Sequence, residues 1–248
     1  MTFLGMDFTL NKYISLLDGL KSYGFRTLTL RHDVDLMPDN SFRMAQIEAS
    51  REMFGIYYFR AVPESWDAEI IKRIAALGHE VGYHYESLTT CNGDIDKAYE
   101  DFCKNLEALR KLVPVRSICM HGSPRSPYDS KDIWKKYDYT VLGIENEPYL
   151  DTDFSKVFYL TDTGRRWDGY KVSVRDKIPQ YQDEWIARGL TFHSTDDLID
   201  GLHRGVFPED LMITVHPQRW HPFGVAWCKE MALQNAKNVV KRLIVKNK

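Results

Sequence analysis

Phe25-Arg-Thr-Leu-Thr-Leu30 runs directly into Arg31-His-Asp-Val-Asp35, and this junction decides the fold. The first six residues have the β-branched and apolar character of a strand. A dense polar cluster then falls where that strand ends. The same pairing of strand and polar cluster recurs along the chain. His79-Glu-Val-Gly-Tyr-His84 is followed by Tyr85-Glu86, Val115-Arg-Ser-Ile-Cys-Met120 by His121-Gly-Ser123, and Leu211-Met-Ile-Thr-Val215 by His216-Pro-Gln-Arg-Trp-His221. Ile56-Tyr-Tyr-Phe-Arg60 reads as one more strand. Helical spacing of apolar residues fills the intervals: Leu10 to Tyr23, Pro38 to about Met53, Ala68 to Leu77, Asp94 to Leu112, Thr195 to His203 and Gly224 to Ile244. This β-α-β-α order implies mostly parallel strands joined by right-handed crossovers, in a doubly wound sheet or a barrel. In either architecture the chemistry belongs at the carboxyl ends of the strands. The interval from Tyr137 to Gln182 is less regular and reads as strands and long loops of the same domain.

Composition narrows the function classes. The chain has 248 residues, with 33 Lys+Arg against 35 Asp+Glu, a formal net charge of -2, and 44% hydrophobic residues. This is an ordinary globular composition, able to bury a substantial core. The balanced charge supplies no basic face for a phosphate backbone, so no nucleic-acid partner is expected. The basic C-terminus, Lys237 to Lys248, reads as a solvated helix end. No stretch of 18 apolar residues argues for membrane insertion, and the opening residues lack the features of a secretory leader. Four cysteines without Cys-x-x-Cys spacing read as free thiols of a reducing compartment. The expected location is therefore cytoplasmic. The strand-end clusters spread from His32 to His221, so residues 1–248 are expected to form a single domain around one site.

Two carboxylates stand out in the first cluster. In an extended segment Asp33 and Asp35 share a face while His32 points to the other. Like charges held together are costly unless a cation neutralises one of them, which suits a division of labour. One carboxylate would ligate a divalent metal and its neighbour would take a proton from water. The plainer alternative is that they cap the following turn or bind Arg31. His84, where a short buried strand reaches the rim, is a natural metal ligand. His79 begins that strand, at the opposite end, and reads as structural.

Arg31-His-Asp-Val-Asp35, Ile56-Tyr-Tyr-Phe59 and Gly78-His-Glu-Val-Gly-Tyr-His84, in that order and spacing, resemble the opening motifs of the polysaccharide deacetylases, carbohydrate esterase family 4. The branch found in O-antigen and other surface-glycan gene clusters is nearest in character. The resemblance spans roughly residues 26 to 220. It implies an α/β fold, a distorted (β/α) barrel of seven mostly parallel strands, and metal-dependent hydrolysis of N-acetyl groups on sugars. Asp33 then matches the catalytic base, Asp35 the metal-binding aspartate, His84 the first metal histidine and His216 the late histidine that acts as general acid. The family's second metal histidine stands four residues beyond the first, where this chain has Leu88. His121, His32 and Glu86 are the candidates to replace it, and His121 is preferred because it ends the strand Val115 to Met120. Asp35, His84 and His121 would suit Zn²⁺, with Co²⁺, Ni²⁺ or Fe²⁺ as alternatives.

Other residues have two readings each. Asp162, Arg165, Arg166 and Trp167 have the residue types of a later family block. Arg165 or Arg166 would place positive charge near Asp33, grip an anionic sugar, or form a surface ion pair with Asp162 or Asp168. Arg219, Trp220 and His221 would line a sugar cleft, or Trp220 would cover the end of the core. The function expected is a hydrolase of carbon-nitrogen bonds that removes the N-acetyl group of a sugar or glycan precursor, in surface polysaccharide (O-antigen) biosynthesis. The alternatives are opening of a cyclic imide or ureide on the same fold, and an inactive sugar-binding protein.

Overall fold

The computed structural model describes residues 6–123, 126–171, 173 and 176–246. Residues 1–5, at the start of the segment tested for a leader, and residues 247–248, at the end of the basic C-terminus, lie outside the described residues. In chain order the elements are α1 (Leu10–Tyr23), β1 (Thr27–Val34), α2 (Pro38–Ala49), β2 (Ile56–Phe59), α3 (Ala68–Ala76), β3 (Glu80–Tyr85), α4 (Ser87–Thr90), α5 (Ile95–Arg110) and β4 (Ile118–Met120). They continue with α6 (Pro148–Asp151), β5 (Phe158–Thr161), α7 (Pro179–Ala187), α8 (Thr195–His203), β6 (Asp210–Val215) and α9 (Val225–Lys246). Short 3-10 turns include Ser130–Lys135 and Pro217–Arg219.

The strand order is β4-β3-β2-β1-β6-β5. The pairs β1·β2, β2·β3, β3·β4 and β5·β6 are parallel. This is the parallel α/β fold expected, but with six strands among the described residues, not seven. Among the described residues the irregular interval from Tyr137 to Gln182 supplies one strand, β5, beside α6, the start of α7 and short helical turns such as Tyr139–Leu142 and Gly169–Lys171. Among the described residues no helix is long and apolar enough to cross a membrane.

The chain divides into two compact units, residues 31–152 and residues 1–30 with 153–248. Strand β1 belongs to both, Thr27–Leu30 to the second and Arg31–Val34 to the first.

The 31–152 unit explains where side chains can go. Alternation along β1 to β4 sends Val34, Tyr57, Phe59, Val81, Tyr83, Tyr85, Ile118 and Met120 to one face, where they form a core with Ile70, Ile71 and Ile74 of α3 and Phe102, Leu106 and Leu109 of α5. The opposite face of the same strands carries Arg31, Asp33, Tyr58, Gly82, His84 and Cys119, as the registers Asp33↔Tyr58, Tyr58↔Gly82 and His84↔Cys119 require. Gly82 is needed there. A Cβ at this position would sit 2.4 Å from the Tyr58 ring, so only glycine lets that ring lie flat beside Arg31. Helix α5 starts at the Asp94 cap, whose carboxylate accepts the Lys97 N–H at 3.2 Å.

In the other unit, Trp220 is fully buried against Phe8, Tyr13 and Trp167. It covers the core and does not line a cleft. Asp7 ties the start of this unit to α8 through the Thr195 N–H at 2.9 Å and the Thr195 hydroxyl.

Candidate metal centre

The carboxyl ends of β1, β3 and β4 bring four of the selected side chains together. Asp33 is the penultimate residue of β1 and Asp35 lies just beyond the strand; His84 is the penultimate residue of β3, and His121 follows β4. Asp35, His84 and His121 each offer a donor atom, all within 4.8 Å of one another. His84 Nε2 is 3.6 Å from Asp35 Oδ1 and 3.2 Å from His121 Nδ1, and His121 Nδ1 is 3.1 Å from Asp35 Oδ1.

The chemistry of this donor set fits a divalent cation. His84 Nδ1 lies 2.9 Å from the Cys119 carbonyl oxygen. A carbonyl only accepts, so Nδ1 carries the proton and Nε2 presents a lone pair toward Asp35 and His121. Two imidazoles and a carboxylate form a typical open zinc set, and the close ligand-to-ligand distances match a small central ion.

Asp33 is held differently. Arg31, fully buried, donates from Nε to Asp33 Oδ1 at 2.9 Å and from NH2 to Oδ2 at 2.8 Å. The same guanidinium donates to the Tyr149 hydroxyl at 3.1 Å and lies over the Tyr149 and Tyr58 rings. The positive charge beside Asp33 is therefore its own strand neighbour, and the simplest sequence alternative, an Arg31 pairing, applies to Asp33. Asp33 Oδ2 stays 3.8 Å from His84 Nε2, next to the donor cluster.

The rival ligands are accounted for by position. His32 points to the opposite face, where its ring stacks on Tyr57 and its Nε2 lies 3.0 Å from Glu48 Oε1. Glu86 is taken by Arg60, whose Nε and NH2 donate to Glu86 Oε1 at 3.0 and 2.6 Å; Arg60 also donates to the Asp35 carbonyl at 3.2 Å. Leu88 lies in α4 and is buried against Ala98 and Ile133. The turn that would offer a second histidine packs into the core here.

Glu147 stiffens the end of β4. Its carboxylate accepts the Met120 N–H at 3.0 Å, the Tyr85 hydroxyl at 3.2 Å and the Tyr149 N–H at 2.7 Å. Burial pushes its carboxyl above the usual range despite these donors and Arg31. Sequence reasoning missed this residue because its partners on β4 and β3 are 27 and 62 positions away.

His216 lies at the end of β6, in the other unit. Its Nδ1 lies 2.6 Å from Asp162 Oδ1 and its backbone N–H donates to Asp162 Oδ2 at 3.0 Å. Asp162 also accepts from Arg219 NH1 at 2.6 Å and from Trp220 Nε1 at 2.8 Å. Burial alone would raise the Asp162 carboxyl, but the adjacent Arg219 and His216 hold it below the ordinary value, so it remains a carboxylate. The role of Asp162 as the partner of His216 was not legible from sequence. Arg166 donates to Asp168 at 2.6 and 2.8 Å, and Arg165 lies over the Phe8 and Trp227 rings. Both arginines are engaged inside their own unit.

No family model and no curated protein matches the chain. Solved structures are similar at low identity. One is a mutant of BA3943, described as a CE4 family pseudoenzyme with restored enzymatic activity: 12% identity, TM-score 0.42, covering 88% of this chain and 64% of that one. Another BA3943 mutant structure, described as a CE4 family pseudoenzyme, has 12% identity and a TM-score of 0.41, covering 88% and 63%. A mutant of the peptidoglycan deacetylase PdaC from Bacillus subtilis has 9% identity and a TM-score of 0.42, covering 89% and 98%. The chain thus spans just under two thirds of the length of the BA3943 structures.

Proposed function

We propose that this chain is a metal-dependent hydrolase that removes the N-acetyl group of a sugar or glycan precursor, in the making of a surface polysaccharide such as O-antigen. The observation that carries the reading is the convergence of Asp33, Asp35, His84 and His121 at three neighbouring strand ends, with His84 Nε2 presented as a lone pair. Asp35, His84 and His121 are the residues that would hold a divalent cation, Zn²⁺ by their chemistry. When bound, such an ion would supply Lewis acidity and a water acidified to a pKa of roughly 7.

The chain's own residues then divide the proton work. Asp33 accepts a proton from the attacking water, and its bidentate pairing with Arg31 fixes both carboxylate oxygens in place for that purpose. His216 is assigned the general acid that protonates the departing nitrogen, with Asp162 holding its Nδ1 so that Nε2 is the working atom. The motif resemblance supports both assignments. The location proposed remains the cytoplasm, with an activated or lipid-linked glycan precursor as substrate.

Acetate release from N-acetyl sugars, measured with and without added Zn²⁺, tests this reading. Asp33→Asn and His216→Ala are each expected to lower kcat by about 10²–10⁴-fold, the range for a lost acid or base, while zinc content stays at the wild-type level. His84→Ala is expected to lose zinc and activity together. Release of ammonia or ring-opened product from cyclic imides or ureides, with no acetate from sugars, would transfer the same residues to the other carbon-nitrogen chemistry. Sugar binding without turnover would leave only a binding protein.

A further inference from the structure

A second donor set lies one step deeper in the same unit. Asp33, His84 and Cys119 each offer a ligand atom, all within 4.8 Å of one another, and all three side chains are buried. Cys119 is in β4, in register with His84 on β3, so both side chains emerge on the same face. Its carbonyl fixes the His84 tautomer, which leaves Nε2 as the donor for this set as well. The thiol is free. Asp33 Oδ2 is 3.8 Å from His84 Nε2, at the long end of the roughly 3.3–3.8 Å between donors on a tetrahedral ion with bonds of about 2.0–2.3 Å.

We propose that Asp33, His84 and Cys119 form a second metal position, which takes a soft divalent cation such as Cd²⁺. The two positions differ in chemistry: Asp35, His84 and His121 supply oxygen and nitrogen, whereas this one adds sulfur, which selects thiophilic ions. They also share His84 Nε2, and one nitrogen lone pair serves one ion. Occupation is therefore exclusive. Binding forms a cadmium–sulfur bond and breaks the S–H bond of Cys119, with the proton released to solvent; no oxidant or reductant is involved. A cation in this position engages Asp33 and displaces the ion held by Asp35 and His121. That makes the position inhibitory, a consequence that rests on the function proposed above, whereas the binding itself does not.

The test reads sulfur ligation directly. In a protein carrying Cys91→Ser, Cys103→Ser and Cys228→Ser, Cys119 is the one remaining thiol. Titration with Cd²⁺ is expected to produce the ultraviolet sulfur-to-cadmium charge-transfer band with one equivalent bound. The band is expected to persist in the added His121→Ala variant and to vanish in the added Cys119→Ala variant. Absence of the band from the sole-thiol protein, whether Cd²⁺ binds elsewhere or not at all, overturns the proposal. Loss of the band in His121→Ala overturns it too, because the ion would then belong to the other position. X-ray absorption at the cadmium edge on the sole-thiol protein, showing sulfur or only oxygen and nitrogen neighbours, decides the matter even if Cys119→Ala does not fold. Absence of acetate release with the band present would defeat the deacetylase reading and leave the soft-metal position standing.

Discussion

At the scale of single residues, the two faces of one strand are used for opposite purposes. Asp33 faces the donor cluster, while His32, one residue away, is sealed on the other side with Glu48, Tyr57 and His79. The Tyr57 hydroxyl donates to Glu48 Oε2 at 2.9 Å, and Glu48 is fully buried. Glu48→Ala is expected to cost about 1–3 kcal/mol, the range for leaving buried hydrogen-bonding groups unsatisfied. Urea denaturation followed by circular dichroism would read it, and a cost below 1 kcal/mol would show that the cluster is not a structural unit. His79 gives the same cluster a pH dependence. Its Nδ1 accepts the Gly55 N–H at 3.1 Å and its Nε2 donates to the Ala45 carbonyl at 2.9 Å, which defines the neutral ring. Burial holds its pKa below the ordinary 6.5 in spite of Glu48. The unfolded chain then binds the proton more readily, so the stabilising contribution is present above pH 6.5 and is lost as pH falls through the folded value. The stability advantage of wild type over His79→Gln is accordingly expected to shrink between pH 7 and pH 5; an advantage that grows on acidification would contradict the assigned tautomer.

At the scale of elements, sequence legibility followed locality. Strands β1, β2, β3 and β6 could be read because their apolar runs end in polar clusters, and alternation already sent His32 away from Asp33 and Asp35. Strand β5 could not. Phe158–Thr161 is buried at every position, so it has no period-2 signal and merges with the aromatic-rich interval around it. The pairing of Asp162 with His216 spans 54 positions and depends on β5 lying beside β6, so it was hidden with the strand. His121 was reachable because it follows a strand. The place of Leu88 was harder to see. Helix α4 turns it into the cluster with Ala98 and Ile133, so the position four residues beyond His84 is core. Installing a histidine there by Leu88→His is therefore expected to bury an imidazole among apolar groups, at about 1–3 kcal/mol, without raising zinc affinity. Thermal melts and zinc titration check both halves; a variant that binds zinc more tightly would mean that α4 can turn toward the donors.

At the scale of the whole molecule, the question is whether two compact units behave as the single domain expected from the spread of motifs. Their common element is β1, which contributes Thr27–Leu30 to one unit and Arg31–Val34 to the other. Melting either unit alone would have to cut an eight-residue strand in the middle. Unfolding in one transition is therefore proposed. The donors Asp35, His84 and His121 all lie in the 31–152 unit, which makes zinc a selective probe of coupling. Zinc at 100 times its dissociation constant adds about 2.7 kcal/mol to whatever cooperative unit contains the site, worth about 2–4 °C per kcal/mol for a chain of this size. Scanning calorimetry is expected to show one endotherm that moves upward as a whole by about 5–10 °C with zinc, and His84→Ala is expected to abolish the shift. Two endotherms, of which zinc moves only one, would show that β1 yields at its middle and that His216 can be lost from the fold while the metal centre stays intact.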